Sequence, residues 1–259
     1  MWEKELEKMI EAAYAAEVKI KEIYNTKFDV EIKSDDSPVT LADKTADALI
    51  KSMLEKEFPH FGFLTEESKD TGERLSKEDI IIVDPVDGTK EFVNRNGEFT
   101  TNIALAHNHE VVVGVINVPM KDVLYYAIKG QGAYRLEKGK DPVRIHVSNK
   151  KDHLIAVRSR SFFNEKEQAM MDKHSDMIER IDVYGAALKF CKIAEGMADI
   201  QYRFSSNTKE WDVAPGNLLI EEAGGVMVKP DLTRYTYNRV DPYNREGYIL
   251  ANCIENVLL

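Results

Sequence analysis

Apolar residues at Leu6, Met9, Ile10, Ala13, Ala16, Ile20 and Ile23 recur at helical spacing across residues 2–24. The other positions there are mostly polar, which predicts an amphipathic helix laid against a core. Phe28, Val30 and Ile32 alternate with polar residues and predict a strand, followed by a loop at Ser34-Asp35-Asp36-Ser37-Pro38. A second helix is predicted from Thr40, with Leu41, Thr45, Leu49 and Met53 along one face. Phe61-Gly62-Phe63-Leu64 reads as a short strand that ends in Thr65-Glu66-Glu67-Ser68, and 68–79 as a polar loop or flap. Then Ile80-Ile81-Ile82-Val83 places four apolar residues in a row. A strand with one wet face alternates, whereas an unbroken run is buried on both faces. Asp84 ends the run, Pro85 sets a turn, and Asp87-Gly88-Thr89 opens a short helix.

Beyond a basic-polar stretch at 90–97, the runs 100–106, 111–118 and 123–128 are apolar, β-branched and separated by turns. His107-Asn108-His109-Glu110 joins two of them. A His-x-His pair is able to bind metal, but its place between two strands favours a solvated hairpin turn. Gly130-Gln131-Gly132 turns the chain into a further strand at 133–136. This antiparallel meander follows helices, so the first half is α+β. The polar segment 137–151, with Gly139 and Pro142, is predicted to connect two lobes, roughly 1–140 and 141–259, of a single unit spanning 1–259. The second lobe alternates in α/β fashion: strand 154–157, helix 164–174, strand 181–183, helix 185–194, strand 198–202, and a helix from Trp211-Asp212 to Ala223 ended by Gly224-Gly225. Short strands at 226–228 and 248–251 complete it.

The 259 residues are 43% hydrophobic and 31% charged, which suits one compact unit or two closely packed lobes. No run approaches the ~18–20 apolar residues that span a bilayer, so no transmembrane segment is expected. The opening Met1-Trp2-Glu3-Lys4-Glu5 lacks the apolar core of a signal peptide. Cys191 and Cys253 give no disulfide framework and read as small apolar residues in a reducing compartment. A cytoplasmic protein is expected. The net charge of −10 argues against a nucleic-acid polymer as partner, while a small phosphate ester stays compatible, because basic residues act locally.

Two carboxylates three positions apart at a buried strand end require a cation to compensate them, and the N–H groups at a helix start favour an anion such as phosphate. Glu66, Asp84, Asp87 and Asp212 supply an all-oxygen donor set of the kind Mg²⁺ takes. No His or Cys cluster has zinc-like spacing. A Glu-Glu pair alone is a solvated turn; Glu66 gains weight because, like Asp84, it directly follows an apolar strand. Two or more bound Mg²⁺ would relieve the repulsion and suit in-line attack of water on phosphorus. Thr89 would orient that water, with a nearby carboxylate accepting the proton. Asp43 admits two readings: the acid of a capping box with Thr40 as N-cap, which local spacing favours, or a carboxylate at the mouth of the site. Pro85 stands where an Asp-x-Asp-Gly-Thr phosphatase would carry its nucleophile, so a covalent aspartyl-phosphate route is disfavoured. No GxxxxGK[ST] loop is present.

Taken together, Thr65-Glu66-Glu67-Ser68, Asp84-Pro85-Val86-Asp87-Gly88-Thr89, Trp211-Asp212-Val213-Ala214 and Glu222-Ala223-Gly224-Gly225 resemble the motifs of the inositol monophosphatase superfamily, lithium-sensitive, Mg²⁺-dependent phosphatases. The stretch from Gly88 to Thr100, with Leu188-Lys189-Phe190-Cys191 and Tyr202-Arg203-Phe204, is similar to its 3'(2'),5'-bisphosphate nucleotidase branch. The resemblance implies a layered αβαβα sandwich and two or three Mg²⁺ held by Glu66, Asp84, the Val86 carbonyl, Asp87 and Asp212. It also implies that Thr89 helps activate water with Asp43 as acidic partner, a role a helix cap is also free to fill. Gly88 and Thr89 would cradle the scissile phosphate, and Gly185 and Ala186, at a second helix start, would meet the sugar or polyol. Arg203, with Lys189 and Arg160, would favour a second anionic group on the substrate. Two departures bear on specificity: Ala186-Ala187 replaces the expected serines, and Phe162 replaces a His after Ser159-Arg160-Ser161.

The expected activity is removal of the 3'-phosphate of adenosine 3',5'-bisphosphate, or of its sulfated counterpart, by metal-activated water. The alternatives are an inositol monophosphatase or inositol polyphosphate 1-phosphatase, and a non-catalytic metal- and phosphate-binding regulatory module. The partner is a small phosphorylated substrate, and the chain is a monomer or homodimer.

Overall fold

The computed structural model describes residues 2–33 and 38–259. Helix α1 (Glu3–Tyr24) and a hairpin of β1 (Val30–Ile32) and β2 (Pro38–Thr40) lead into α2 (Leu41–Glu57). The loop expected at 34–38 lies outside the described residues except for Pro38, which opens β2. A sheet follows in the order β3 (Gly62–Thr65), β4 (Asp79–Asp87), β5 (Thr100–His107), β6 (Glu110–Val118), β7 (Val123–Ile128), β8 (Gly132–Glu137) and β9 (Val143–Ile145), with the short helix α3 (Thr89–Val93) after β4. Strand β3 is parallel to β4, and every later pair is antiparallel. The remaining chain supplies β10 (Leu154–Ser159), α4 (Glu165–Lys173), β11 (Ile178–Tyr184), α5 (Leu188–Ala194), β12 (Ile200–Arg203), α6 (Glu210–Glu222), β13 (Val226–Val228) and β14 (Tyr248–Ala251). These strands form a second sheet in the order β11-β10-β12-β14-β13.

The two-faced burial of β4 is visible residue by residue. Ile81 and Val83 pack with α1 and α2, against Met9, Ile20, Ile50 and Leu54. Ile80 and Ile82 point the other way, into the core that holds Leu188, Phe190, Leu218 and Leu219 of α5 and α6. On the far side of the second sheet, Leu154, Ala156, Ile200, Tyr202 and Ile249 bury Met171 of α4. The order of layers is therefore α1/α2, first sheet, α5/α6, second sheet, α4, the αβαβα sandwich that the motifs implied. Each large apolar side chain removed from water contributes about 1.5–3 kcal/mol, and β4 contributes to two cores at once. Helix α6 lies so close to β6 that a Cβ on Gly114 would come within 2.8 Å of the Pro215 carbonyl oxygen.

Three elements differ from the sequence expectation. The buried face of α2 is Ala42, Asp43, Ala46, Asp47, Ile50 and Leu54, while Leu41 is 61% exposed. Ala12, Ala13 and Ala16 of α1 share one buried core with Ala42 and Ala46, so close helix packing, not side-chain size, decides the facing. The supposed connector at 137–151 contains β9, which extends the first sheet: Ile145 is buried and Val143 is not. Helix α5 starts at Leu188, because Ala186 takes φ +46°, a left-handed value that a helix does not pass through; Gly185 and Ala186 lie in the turn before it.

The hairpin reading of 107–110 holds. Asn108 and His109 both adopt positive φ, 48° and 67°, as a two-residue turn demands. His109 is nevertheless engaged, its Nδ1 2.7 Å from the Tyr237 carbonyl oxygen. Cys191 is buried and Cys253 half-buried, both as free thiols. No helix among the described residues is long and apolar enough to cross a membrane.

Candidate active site

Asp84 and Asp87 are an odd number of residues apart, so a regular strand would turn them to opposite faces. The ladder between β4 and β5 prevents that. Asp84 stands opposite Asn102 and Asp87 opposite Thr100, so a bulge at Pro85-Val86 takes up one additional residue. Proline suits this place because it has no ladder N–H to lose; its carbonyl accepts from Thr101 Oγ1 at 2.9 Å. Asp84 Oδ1 accepts the Val86 N–H at 3.1 Å. Asp87 Oδ2 accepts from Asn102 Nδ2 at 3.1 Å and lies 3.4 Å from Thr100 Oγ1.

Asp212 arrives from across the middle of the sandwich. It is the third residue of α6, and the Lys209 N–H donates to its Oδ2 at 2.5 Å. One oxygen each from Asp84, Asp87 and Asp212 lie within 4.8 Å of one another. Burial pushes Asp84 well above the ordinary carboxylate range, and the charges of Glu66, Asp87, Asp212 and Asp43 push it further. Burial likewise raises Asp87 to about 6, opposed by the Lys189 charge and the Asn102 hydrogen bond. Asp212 rises to about 8, through burial and then the charges of Asp87 and Glu66. Three crowded hard-oxygen donors, each reluctant to ionise, fit a divalent cation of the Mg²⁺ class.

A stability prediction follows for the metal-free protein. Folded values near 6 and 8 exceed the ordinary ~4 of an aspartate. Between those limits the folded state holds more protons than the unfolded chain, so stability falls as pH rises from about 4 to about 8. In chelator the thermal midpoint should drop between about pH 5.5 and about pH 8, and Mg²⁺ should raise it more at the higher pH. A midpoint that climbs with pH in chelator would contradict the repulsion.

Glu66 follows β3, anchored by its N–H on the Val83 carbonyl at 3.1 Å. It lines the same cavity as the three aspartates, but its Oε1 is paired with Lys33 Nζ at 2.9 Å, and Lys33 also holds Glu67 at 2.5 Å. The two oxygens of Asp43 face different partners. Oδ2 accepts the Thr40 N–H at 2.8 Å and the Thr40 hydroxyl at 2.6 Å, closing the cap, while Oδ1 accepts from Thr89 Oγ1 at 3.0 Å. Thr89 Oγ1 is also 3.3 Å from the Val86 carbonyl oxygen. Gly88, the N-cap of α3, has φ +91°.

The cavity, about 730 Å³, is lined by Glu66, Asp84, Val86, Asp87, Gly88, Thr89, Ala186, Lys189, Arg203 and Asp212. Gly185 sits behind this lining, its N–H donating to Glu98 Oε2 at 2.8 Å; a Cβ there would meet the Glu98 carbonyl oxygen at 2.6 Å. Lys189 is buried, donates to the Ala186 carbonyl at 2.5 Å, and is lowered to about 8 by desolvation, opposed by the Asp87 charge. Arg203 faces the cavity with its charge already matched: it is 3.2 Å from buried Glu167 and also donates to the Phe162 carbonyl. Arg160 is bound to Glu98 through Nε at 2.7 Å and Nη2 at 2.9 Å and does not line the cavity. Phe162 does line it, with Lys90 Nζ 4.1 Å from its ring centroid. Ala187 caps α5 without a side-chain hydrogen bond.

Sequence reasoning missed Thr100, Asn102 and Lys33. Thr100 and Asn102 left a signal: they are polar and fully buried on a central strand, a placement that demands partners. Lys33 left none, because only the folded hairpin brings it to Glu66.

An acid cluster of this kind, beside a hydroxyl held by a carboxylate, is the equipment of a phosphatase. The inositol monophosphatase family profile matches residues 2–255, and the chain belongs to that family and is a phosphatase. It is 36% identical over 228 residues to a Buchnera aphidicola protein named 3'(2'),5'-bisphosphate nucleotidase CysQ, covering 87% of this chain and 84% of that one. The Escherichia coli K12 protein of the same name is 36% identical over 222 residues, covering 85% and 88%. Among solved structures, CysQ from Bacteroides thetaiotaomicron superposes with a TM-score of 0.84 at 37% identity, covering 96% of this chain and 97% of that one.

Proposed function

We propose that this chain is a Mg²⁺-dependent phosphomonoesterase that removes the 3'-phosphate of adenosine 3',5'-bisphosphate, consuming water and yielding AMP and phosphate. The observation that carries the reading is the Thr89–Asp43 hydrogen bond, 3.0 Å, at the edge of the three-aspartate cluster. The names of its relatives support the substrate. Glu66, Asp84, the Val86 carbonyl, Asp87 and Asp212 would hold two or three ions. When bound, these supply Lewis-acid stabilisation of the phosphoryl oxygens and a lowered pKa for attacking water. Asp43 holds the Thr89 hydroxyl with its proton directed away from the cavity, which leaves the oxygen lone pairs to accept from water. The N–H groups of Gly88 and Thr89 have no partner within their helix and would take the scissile phosphate. Ala186 and Gly185 shape the wall that meets the sugar, and Lys189, with Arg203, would supply positive charge to the second phosphate.

One observation favours the alternative, an inositol phosphatase: Glu167 already matches the charge of Arg203. Phosphate-release rates on adenosine 3',5'-bisphosphate, inositol 1-phosphate and fructose 1,6-bisphosphate decide between them. Arg203→Glu should depress the nucleotide rate far more than the inositol phosphate rate, because it puts an anion where a second phosphate would sit. Equal losses on both substrates would reject the specificity role. No phosphate release from any ester in Mg²⁺ would leave the non-catalytic module as the reading.

A further inference from the structure

Two residues before Asp212, Glu210 is fully buried and its carboxylate is committed elsewhere than the acid cluster. It accepts from the Asn238 N–H at 2.7 Å, the Arg239 N–H at 2.9 Å and Arg239 Nε at 3.1 Å. Arg239 continues to Asn244 Oδ1 at 2.7 Å. Asn244, itself fully buried, holds the Lys209 carbonyl at 3.0 Å through its amide and the Thr208 carbonyl at 2.7 Å through its backbone N–H. The segment 238–244 thus clamps the peptide units at the start of α6. Those units include Lys209, whose N–H orients Asp212.

The same segment reaches the chain that follows Glu66. Arg74 is 3% exposed, and it donates to Asn238 Oδ1 at 2.8 Å and to the Arg239 carbonyl at 3.0 Å. Asn238 returns a bond to the Arg74 carbonyl at 3.2 Å. Asp70 takes the rest of the Arg74 guanidinium at 2.8 and 3.0 Å. A continuous, partly buried chain of hydrogen bonds therefore joins residues 70–74, downstream of Glu66, to the helix start that carries Asp212. Glu66 and Asp212 come from opposite halves of the sequence, and among the described residues no strand pairing links their elements.

We infer that Arg74, Asn238, Arg239 and Glu210 are positioning residues that set the affinity of the acid cluster for its divalent cation. None of them touches the reacting atoms. They act by holding carboxylates that repel one another at a spacing a cation is able to bridge; without the clamp, those carboxylates would relax apart. The inference rests on reading the cluster as a metal centre. Partners behind metal ligands typically change affinity by 10–100-fold when removed.

The test is calorimetric titration of Mg²⁺ into the chelator-treated full-length protein, with thermal midpoints recorded on the same samples. Arg239→Met and Arg74→Met should each weaken Mg²⁺ binding by about 10-fold, with Arg239→Lys and Arg74→Lys in between. The double variant should lose less than the product of the singles, because both act through Glu210, Arg239 directly and Arg74 by way of Asn238. Lowered midpoints with unchanged Mg²⁺ affinity would overturn the inference and make the network structural only. The two lysine variants keep this outcome readable if a methionine variant fails to fold. Asp84→Asn separates the inference from its premise. Lost binding in Asp84→Asn beside wild-type-like affinity in the network variants keeps the metal reading and rejects the network; a wild-type protein that takes up no Mg²⁺ rejects both.

Discussion

Asp84→Asn is expected to lower phosphate release by about 10³-fold, the equivalent of about 4 kcal/mol of transition-state stabilisation, while the metal-free protein becomes more stable. The first effect follows from position. Asp84 is the deepest acid of the cluster, 2% exposed, and it shares the centre with Asp87 and Asp212. The second follows from electrostatics. Burial and four neighbouring acids all oppose ionisation of Asp84, so an isosteric amide removes a charge that the apo fold tolerates poorly. Asparagine keeps an oxygen for the Val86 N–H, and the bulge should survive. In chelator at about pH 8 the thermal midpoint should rise above wild type, whereas added Mg²⁺ should no longer raise it. Full activity would sink the metal assignment; a lower midpoint in chelator would show that Asp84 serves the fold and not the cation.

The legibility of this site in the sequence depended on how local each signal was. The run 80–83 announced a strand with two buried faces, and its two cores are what place the acids at its end in the middle of the sandwich. The order of motifs along the chain carried Asp212 and Glu66 into the same site, because a resemblance encodes contacts that spacing cannot. What stayed hidden was pairing at a distance. The bulge that turns Asp84 and Asp87 to one side exists only in the ladder with β5. The carboxylate of Glu167 that occupies Arg203 comes from a helix that reads as an ordinary polar segment. The facing of α2 escapes a count of large apolar residues, because the core it shares with α1 is rich in alanines. Asp43 stays open to both readings for a sounder reason: one carboxyl group offers Oδ2 to the cap and Oδ1 to Thr89.

That division of labour in Asp43 makes Thr89→Val the second large effect, an expected fall in kcat of about 10²–10³ with little change in stability. Valine has the shape of threonine but lacks the hydroxyl that Asp43 Oδ1 and the Val86 carbonyl hold. Thr89→Ser should keep most of the rate, because the hydroxyl alone is needed. Burial raises Asp43, and the Thr40 and Thr89 hydrogen bonds oppose the rise, so it is a better proton acceptor than an exposed aspartate. Thr40→Ala is the complementary change. It removes the hydroxyl that bonds Oδ2 and caps the Ala42 N–H, keeps the backbone N–H on Oδ2, and leaves Oδ1 on Thr89. It should therefore cost about 1 kcal/mol of stability and only a small part of the rate. Measured side by side, the two variants should divide: one slow and stable, the other fast and less stable. If Thr40→Ala proved as slow as Thr89→Val, the cap and the catalytic contact would not be separable, and Asp43 would act as a rigid post at the helix start instead of a base.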